Sequence, residues 1–368
     1  MTRLRDLGLT VGLLPPGPLN AITDVAGVRV GAVTLVEGSG PLVVGTGPIR
    51  TGVTVIVPSE DVGAVPLFAG CHRLNGNGEL TGLEWVRESG QLTTPIAITN
   101  THSVGVVRDA IVAADVHGRP GSEAYWSLPV VGETYDGTLN DINGFHVTAE
   151  HLHEALAAAT GGPVPEGNVG GGTGMICHEL KDGTGTASRT VNGHTVGALV
   201  QANHGRRARL AVDGVPVGRE LDTDTVPSPY DDEAEAGSGS IIVILATDAP
   251  LLPHQCERLA QRAGLGIARA GGGGDHTSGD LFLAFSTGNR GRIASYRRDG
   301  SPLPVEIAML PDASITDLFW AVIEATEEAI LNALIAAETM TGIDDVTVRA
   351  LDHGRLLEIM TRYGRGPA

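Results

Sequence analysis

Short apolar runs alternate with amphipathic runs along this 368-residue chain, and both kinds of pattern predict regular structure. Runs rich in Val, Ile and Leu predict strands at residues 28–36, 53–57, 95–99, 128–132, 195–201, 241–247, 281–285 and 305–309. Apolar residues at helical spacing predict helices at residues 79–88, 104–116, 149–159, 250–268, 317–338 and 355–362. Because strands and helices interleave without strict βαβ alternation, we expect a layered α/β fold with a mixed sheet rather than a Rossmann domain or a regular barrel.

One polar segment, residues 221–239, interrupts this pattern. It combines two prolines with six acidic residues, namely Asp222, Asp224, Asp231, Asp232, Glu233 and Glu235. A segment of this composition does not bury enough apolar surface to pack, so it predicts a mobile linker. The linker divides the chain into residues 1–239 and 240–368. Since the second segment has too few strands for a core of its own, we expect both segments to build one sandwich domain.

Composition and charge narrow the class of partner. The formal net charge of −18 repels polyanions and anionic membranes, so we expect no nucleic-acid partner and no membrane association. Lys181 is the single lysine and stands in the turn-like sequence Lys181-Asp182-Gly183, which disfavours Schiff-base, pyridoxal-phosphate and Walker-type chemistry. Glycine accounts for 52 residues, about twice the usual share, and predicts many close backbone approaches.

The cysteines and the N-terminal residues indicate the compartment. Cys71, Cys177 and Cys256 are odd in number and form no Cys-x-x-Cys pair, so we interpret them as reduced and mostly structural. Residues 7–14 are too short and glycine-broken for a signal sequence, and no apolar run reaches the roughly 18 residues of a membrane span. We therefore expect a cytoplasmic protein.

Ser240 stands where the acidic linker meets the most apolar strand, after Gly237-Ser238-Gly239. A serine nucleophile needs a base, yet no serine here occupies a G-x-S-x-G elbow. If the chain is cut between Gly239 and Ser240, the new α-amine, with a reference pKa of about 7.7–8.0, can act as the base for its own hydroxyl. From the pattern alone, a polar loop capping a buried strand is the favoured alternative.

A second polar pair precedes the strand at residues 281–285. Ser278 and Asp280 are two residues apart, directly after the glycine run 271–274 and Asp275-His276-Thr277. If the extended backbone begins there, their side chains lie on one side of it, so a hydroxyl and a carboxylate face one point. By itself this signal is weak, because a glycine-rich loop before a strand is more often only a turn.

Several stretches together resemble the DmpA family of aminopeptidases, which are self-processing serine N-terminal-nucleophile hydrolases. They are residues 20–31 (NAITDVAGVRVG), 132–137 (GETYDG), 237–242 (GSGSII), 246–253 (ATDAPLLP) and 278–280 (SGD). The family includes L-aminopeptidase/D-amino-acid esterases and β-aminopeptidases. The resemblance implies an αββα four-layer sandwich and an oligomer, expected to be a tetramer, of processed protomers. It also implies small peptide, amide or ester substrates with a free amino group, and a reaction that needs no metal or organic cofactor.

The same resemblance assigns roles to seven residues. Ser240 corresponds to the nucleophile, and Ser278 with Asp280 supports and orients its amine and hydroxyl. The other four correspond to the oxyanion donors Asn203 and Tyr135, to the carboxylate Glu133 that receives the substrate's amino group, and to the aromatic pocket wall Trp126. One departure is His204, since many members carry another aromatic residue after the asparagine. Without the resemblance, a strand end, a turn aromatic and a solvated carboxylate would explain Asn203, Tyr135 and Glu133.

Two other functions remain open at this stage. The first is an acyltransferase like the ornithine acetyltransferases, which share the layered fold but typically carry threonine at the cut. The second is a non-catalytic phosphate-binding protein that uses the glycine runs 170–174 or 271–274, although neither run fits a P-loop. His151 and His153 are about 200° apart on a helix, so we interpret them as surface or capping residues rather than metal ligands.

Overall fold

The computed structural model describes residues 1–117, 126–221, 226–230, 237–293 and 304–367. Its strands are β1 (Arg29–Glu37), β2 (Ile49–Val57), β3 (Leu67–Gly76), β4 (Gln91–Leu92), β5 (Ile96–Asn100), β6 (Val130–Thr134), β7 (Ile176–Cys177), β8 (Leu180–Lys181), β9 (Thr184–Val191), β10 (His194–Gly205), β11 (Gly237–Thr247), β12 (Gly279–Ser286), β13 (Met340–Thr341) and β14 (Thr347–Val348). Its α-helices are α1 (Leu83–Ser89), α2 (Val104–His117), α3 (Ala149–Ala157), α4 (Val217–Glu220), α5 (Pro253–Ala270), α6 (Thr316–Ala336) and α7 (His353–Arg362). None of the helices in these ranges is long and apolar enough to cross a membrane.

Two mixed sheets form the centre of the molecule. The smaller has the strand order β1-β2-β5-β6 and the larger has the order β4-β3-β12-β11-β10-β9. In the larger sheet β11 pairs in parallel with β12 and antiparallel with β10. Strands from both sides of residue 239 therefore interleave in one sheet.

The packing of the sheets and helices produces the four layers. Along β11, Ile242 and Ile244 face the smaller sheet, where they join a core that includes Ile98 and Val130. Ile241, Val243 and Leu245 face the other way, onto α5 and α6. Helices α2 and α3 cover the outer face of the smaller sheet. The expected αββα sandwich is confirmed. The sequence of β11 is a continuous apolar run because both faces of this strand are buried.

Three strands of the larger sheet, β3, β9 and the two-residue β4, were not predicted, and one predicted strand is absent. β3 and β9 are rich in small and polar residues, and β9 is buried because α6 packs against it. The guanidinium of Arg189 in β9 forms ion pairs with Glu324 and Glu328 of α6, at 3.1 and 2.6 Å. Residues 305–309 have strand-like alternation but are mostly exposed and pair with no strand in the described chain.

One further prediction, the position of Lys181, needs correction. Lys181 is in β8 rather than in a turn, and it is fully buried with Nζ donating to the carbonyls of Met175 and Asp182 at 2.8 and 2.7 Å. Burial lowers the pKa of Lys181 to about 7. The predicted linker falls largely on residues 222–225 and 231–236, which lie outside the described residues, whereas its last residues begin β11. The capping interpretation of His151 is confirmed, because its Nδ1 accepts a hydrogen bond from Thr148 N–H.

Candidate active site

Ser240 lies in the central strand of the larger sheet, between two neighbours that hold its position. Asn203 of β10 is directly opposite it, and Gly279 of β12 is its partner on the other side. The Ser240 Oγ accepts a hydrogen bond from Gly279 N–H at 3.1 Å, and the residue is 6% exposed. Since side chains alternate along a strand, the hydroxyl lies on the same face as Ile242, toward the smaller sheet.

The backbone just before Ser240 forms a bulge. Between the pairs Asn203–Ser240 and Gly205–Gly237, β11 contains one residue more than β10. A Cβ atom on Gly239 would overlap the carbonyl oxygen of Asn203, so the backbone approaches this closely only because residue 239 is glycine. The bulge thus lies at the peptide bond that the sequence predicts to be cut, and β-bulges are common beside active sites.

Ser278 and Asp280 form a hydrogen-bonded pair, so their side chains lie on one side of the backbone, as their spacing predicts. The Ser278 hydroxyl donates to Asp280 Oδ1 at 2.6 Å, and Asp280 Oδ2 is buried without a hydrogen-bond partner. Burial raises the pKa of Asp280 to about 6, and the bond from Ser278 offsets part of this shift. By strand alternation Asp280 shares its face with Ile241, opposite to the Ser240 side chain. The pair is therefore linked to the Ser240 hydroxyl through the backbone of Gly279.

The amide of Asn203 is fixed at both ends. Its Oδ1 accepts a hydrogen bond from Ile176 N–H at 2.8 Å, and its Nδ2 donates to the backbone carbonyl of Tyr135 at 2.9 Å. Tyr135 thus contributes its main chain to this contact. Its half-exposed ring packs over Gly137, where an added Cβ would overlap the phenol oxygen. Since Nδ2 carries two hydrogens, one remains to donate to a substrate oxygen.

Glu133 lies inside β6, which continues beyond the strand predicted at residues 128–132, and it is 3% exposed. Its Oε1 accepts from Glu79 N–H at 2.9 Å and its Oε2 from the Thr101 hydroxyl at 2.5 Å. Burial raises the pKa of Glu133, and these two donors offset part of the shift. A Cβ on Gly78 would lie 3.1 Å from both Glu133 Oε1 and the Cα of Gly279, so this carboxylate lies near the β12 end of the site.

Trp126 lies at the surface. It is 49% exposed, and its indole packs edge-on against Trp85 of α1 with the ring centroids 5.6 Å apart. The contacts given above bring together Ser240, Asn203, Ser278, Asp280, the main chain of Tyr135 and, through Gly78, Glu133. They do not connect Trp126 to this group.

Sequence reasoning missed two groups around the site. Thr101 precedes α2 and gave no chemical signal, yet it holds Glu133. Cys177, His178 and His204 meet in a buried cluster on the other side of Asn203. Burial lowers the pKa of His178 to about 4 and that of His204 to about 3. Cys177 and His204 are 27 positions apart in the chain, so no short motif could have identified the cluster.

The four-layer sandwich and the serine-centred group define a hydrolase of the N-terminal-nucleophile type, and comparisons with known proteins agree. The chain belongs to Peptidase family S58, whose profile matches residues 20–348. It is 49% identical over 377 residues to a β-peptidyl aminopeptidase from Sphingosinicella microcystinivorans. The alignment covers 99% of this chain and 93% of that protein. The chain is therefore an aminopeptidase-type hydrolase, as the resemblance to the DmpA family implied.

Solved structures give the same result. A β-aminopeptidase from Burkholderia sp. has a TM-score of 0.91 at 54% identity, and the match covers 99% of both chains. The L-aminopeptidase D-Ala-esterase/amidase from Ochrobactrum anthropi, described as a variant among the Ntn hydrolase fold, has a TM-score of 0.88 at 45% identity over 100% of this chain and 99% of that one. These matches favour neither the acyltransferase nor the phosphate-binding alternative. Gly170, Gly171 and Gly172 are in any case buried against other backbone segments.

If the Gly239–Ser240 bond is cut as the sequence predicts, Gly239→Ala should slow the formation of fragments 1–239 and 240–368. The added methyl group would overlap the Asn203 carbonyl and displace the backbone at the bond to be cut. Overpacking typically costs about 1–3 kcal/mol, so we expect a rate roughly 5- to 150-fold lower. Intact mass against time, measured on freshly translated protein, gives the rate. Gly105→Ala is the matched control, because a Cβ there meets no atom within 4 Å. Equal rates for Gly239→Ala and the control would contradict the steric role of Gly239.

Proposed function

We propose that this chain is a self-processing β-aminopeptidase whose nucleophile is Ser240. The observation that carries the proposal is the position of Ser240, with Asn203 on one neighbouring strand and Gly279 on the other, directly after the bulge at Gly239. In the continuous chain the Ser240 nitrogen is an amide and cannot act as a base. Cleavage of the Gly239–Ser240 bond turns it into an amine that can.

Processing and hydrolysis use the same hydroxyl. In processing, the Ser240 Oγ attacks the Gly239 carbonyl carbon, the peptide C–N bond breaks to leave an ester and a free amine, and water hydrolyses the ester. In catalysis the amine takes the proton of Oγ as Oγ attacks the substrate carbonyl. The resulting ammonium protonates the leaving amine, and water then releases the acyl group from Ser240. This yields segments 1–239 and 240–368 within one sandwich domain.

Neighbouring side chains stabilise the charges that develop in these steps. The second hydrogen of Asn203 Nδ2 donates to the oxyanion, and the Tyr135 hydroxyl supplies another donor if its ring turns away from Gly137. The Ser278–Asp280 pair, next to the start of the processed segment, accepts hydrogen bonds from the newly formed ammonium. A buried carboxylate favours this positive charge strongly, because little water screens it.

Glu133 is the proposed recognition site for the substrate's ammonium group, and Trp126 forms an outer wall of the pocket. A buried carboxylate paired with an ammonium gives a charge-assisted hydrogen bond, which selects substrates with a free amine. The relatives named β-peptidyl aminopeptidase and β-aminopeptidase, at 49% and 54% identity, support β-amino acids as the residues released. Small peptides, amides and esters are the proposed substrate classes.

The assembly and the compartment are also proposals. We propose a tetramer of processed protomers in the cytoplasm, without nucleic-acid or membrane partners. The three cysteines are buried and free, which agrees with a reducing compartment. Light scattering on the purified, processed protein measures the mass of the assembly.

We predict that Ser240→Ala abolishes processing and hydrolysis together, because Ser240 supplies both the attacking oxygen and the catalytic amine. Intact mass under denaturing conditions should show segments 1–239 and 240–368 for the wild type and one full-length chain for the variant. Ser240→Thr, which keeps a hydroxyl and an α-amine, is the control and should still process. Substrate hydrolysis by Ser240→Ala at the wild-type rate would place the nucleophile elsewhere.

We predict that Glu133→Gln lowers kcat/KM for β-alanine p-nitroanilide by roughly 30-fold, because losing the charge partner of a desolvated ammonium costs about 2 kcal/mol or more. The wild type should not hydrolyse the N-acetyl substrate, and the variant should discriminate less between the two forms. The same assay with L-alanine p-nitroanilide tests the β preference. Glu88→Gln, which removes an exposed carboxylate of α1, is the control. Equal turnover of free and N-acetylated substrate by the wild type would remove Glu133 from the site.

A further inference from the structure

Three side chains with metal-binding atoms meet beneath the oxyanion candidate. They are Cys177 of β7, His178 directly after it, and His204 of β10, which we call the Cys/His cluster. Each offers one ligand atom within 4.8 Å of the other two, and they are 0%, 0% and 5% exposed. Groups of this kind at one buried point are uncommon unless they bond to one another or to an ion.

The hydrogen bonds within the cluster leave a metal-ligating nitrogen without a partner. His178 Nδ1 lies 3.1 Å from the carbonyl oxygen of Arg206, so its N–H donates there, and His178 Nε2 is buried without a hydrogen-bond partner. Histidines that bind metals usually donate their other ring nitrogen to a carbonyl or carboxylate in this way. A buried nitrogen lone pair without a partner is costly in a purely structural cluster, but it is what a metal ligand requires.

The distance between the sulfur and the nearer imidazole nitrogen also suits an ion. Cys177 Sγ lies 3.6 Å from His204 Nδ1. A tetrahedral zinc with bonds of about 2.3 Å to sulfur and about 2.0–2.1 Å to nitrogen separates two such ligands by about 3.6 Å. The carboxylate of Asp182 interacts with the Cys177 thiol, and its Oδ2 is buried without a hydrogen-bond partner. A carboxyl group that can ionise is therefore next to the cluster to balance the charge of a cation.

Glycines line the route from solvent to the cluster. A surface groove of about 650 Å³ is lined by Gly205, Arg206 and Gly272, among other residues. A Cβ on Gly205 would overlap the ring of His178, and one on Gly272 would lie 2.9 Å from His204 Nε2. The two rings thus lie close to the main chain of two glycines that line the groove.

We propose that Cys177, His178 and His204 bind one Zn²⁺-type transition-metal ion per chain, with Asp182 as the neighbouring anion. A thiolate with two imidazoles selects zinc-like ions over Mg²⁺ or Ca²⁺, which prefer oxygen ligands. The ion has no part in hydrolysis. It joins β7 to β10 at the residues next to Ile176 and Asn203. The hydrogen bond from Ile176 N–H to Asn203 Oδ1 holds the side-chain amide that is proposed to donate to the oxyanion, so the ion stabilises the position of that amide.

Cobalt titration of the whole protein tests the site without an activity assay. After treatment with a chelator, Co²⁺ should bind at one equivalent per chain, with a thiolate-to-cobalt charge-transfer band and the strong visible bands of tetrahedral Co²⁺, and Zn²⁺ should displace it. Cys177→Ala should lose the charge-transfer band and at least about 100-fold in affinity, more than loss of an outer hydrogen-bond partner costs. Cys256→Ala removes another buried thiol and should behave as the wild type.

His204→Phe keeps an aromatic ring at this position and provides a second variant should Cys177→Ala fail to fold, as judged by near-ultraviolet circular dichroism. It should also lose tight Co²⁺ binding. Wild-type protein that shows no saturable Co²⁺ binding overturns the proposal. So does a cobalt spectrum without a thiolate band, or one that Cys177→Ala shares with the wild type.

Discussion

The pairing of β11 with β10 on one side and β12 on the other is the constraint on which the site depends. It places Ser240 opposite Asn203 and beside Gly279 at the same time. Because β11 is apolar on both faces and lies between two cores, a slip of one residue would exchange its two faces and bury the wrong atoms on both. The register is thus set by burial along the whole strand. The same register fixes the positions of the polar residues at the beginning of the strand.

Burial also determines the electrostatics of the site. Asp280 and Glu133 both have raised pKa values because they are withdrawn from water, but their surroundings differ. Glu133 receives hydrogen bonds at both oxygens, whereas Asp280 accepts from Ser278 at Oδ1 and keeps Oδ2 without a hydrogen-bond partner. Groups held in this state interact strongly with a nearby ammonium, and perturbed carboxylates of this kind are typical of functional sites.

The segment around Asn203 serves both sides of β10. The amide of Asn203 is held by Ile176 and Tyr135, while the side chain of the next residue, His204, belongs to the Cys/His cluster. The bulge at Gly239 lies across from this same segment. One short stretch of β10 therefore carries the proposed oxyanion donor, a proposed metal ligand and the carbonyl that requires glycine at residue 239. A change at any one of these positions is expected to affect the others, since they share a backbone.

Local sequence determined the elements whose signal is local. Helical periodicity located six of the helices and the apolar run located β11. The spacing of Ser278 and Asp280 predicted that their side chains share one side of the backbone. These features depend on residues close in the chain. Tertiary structure decided the rest. β3 and β9 are strands because helices cover small and polar residues there, and Glu133 is buried because Glu79 and Thr101 supply donors from elsewhere. Cys177 meets His204 only because two strands bring together residues 27 positions apart, which no local pattern encodes.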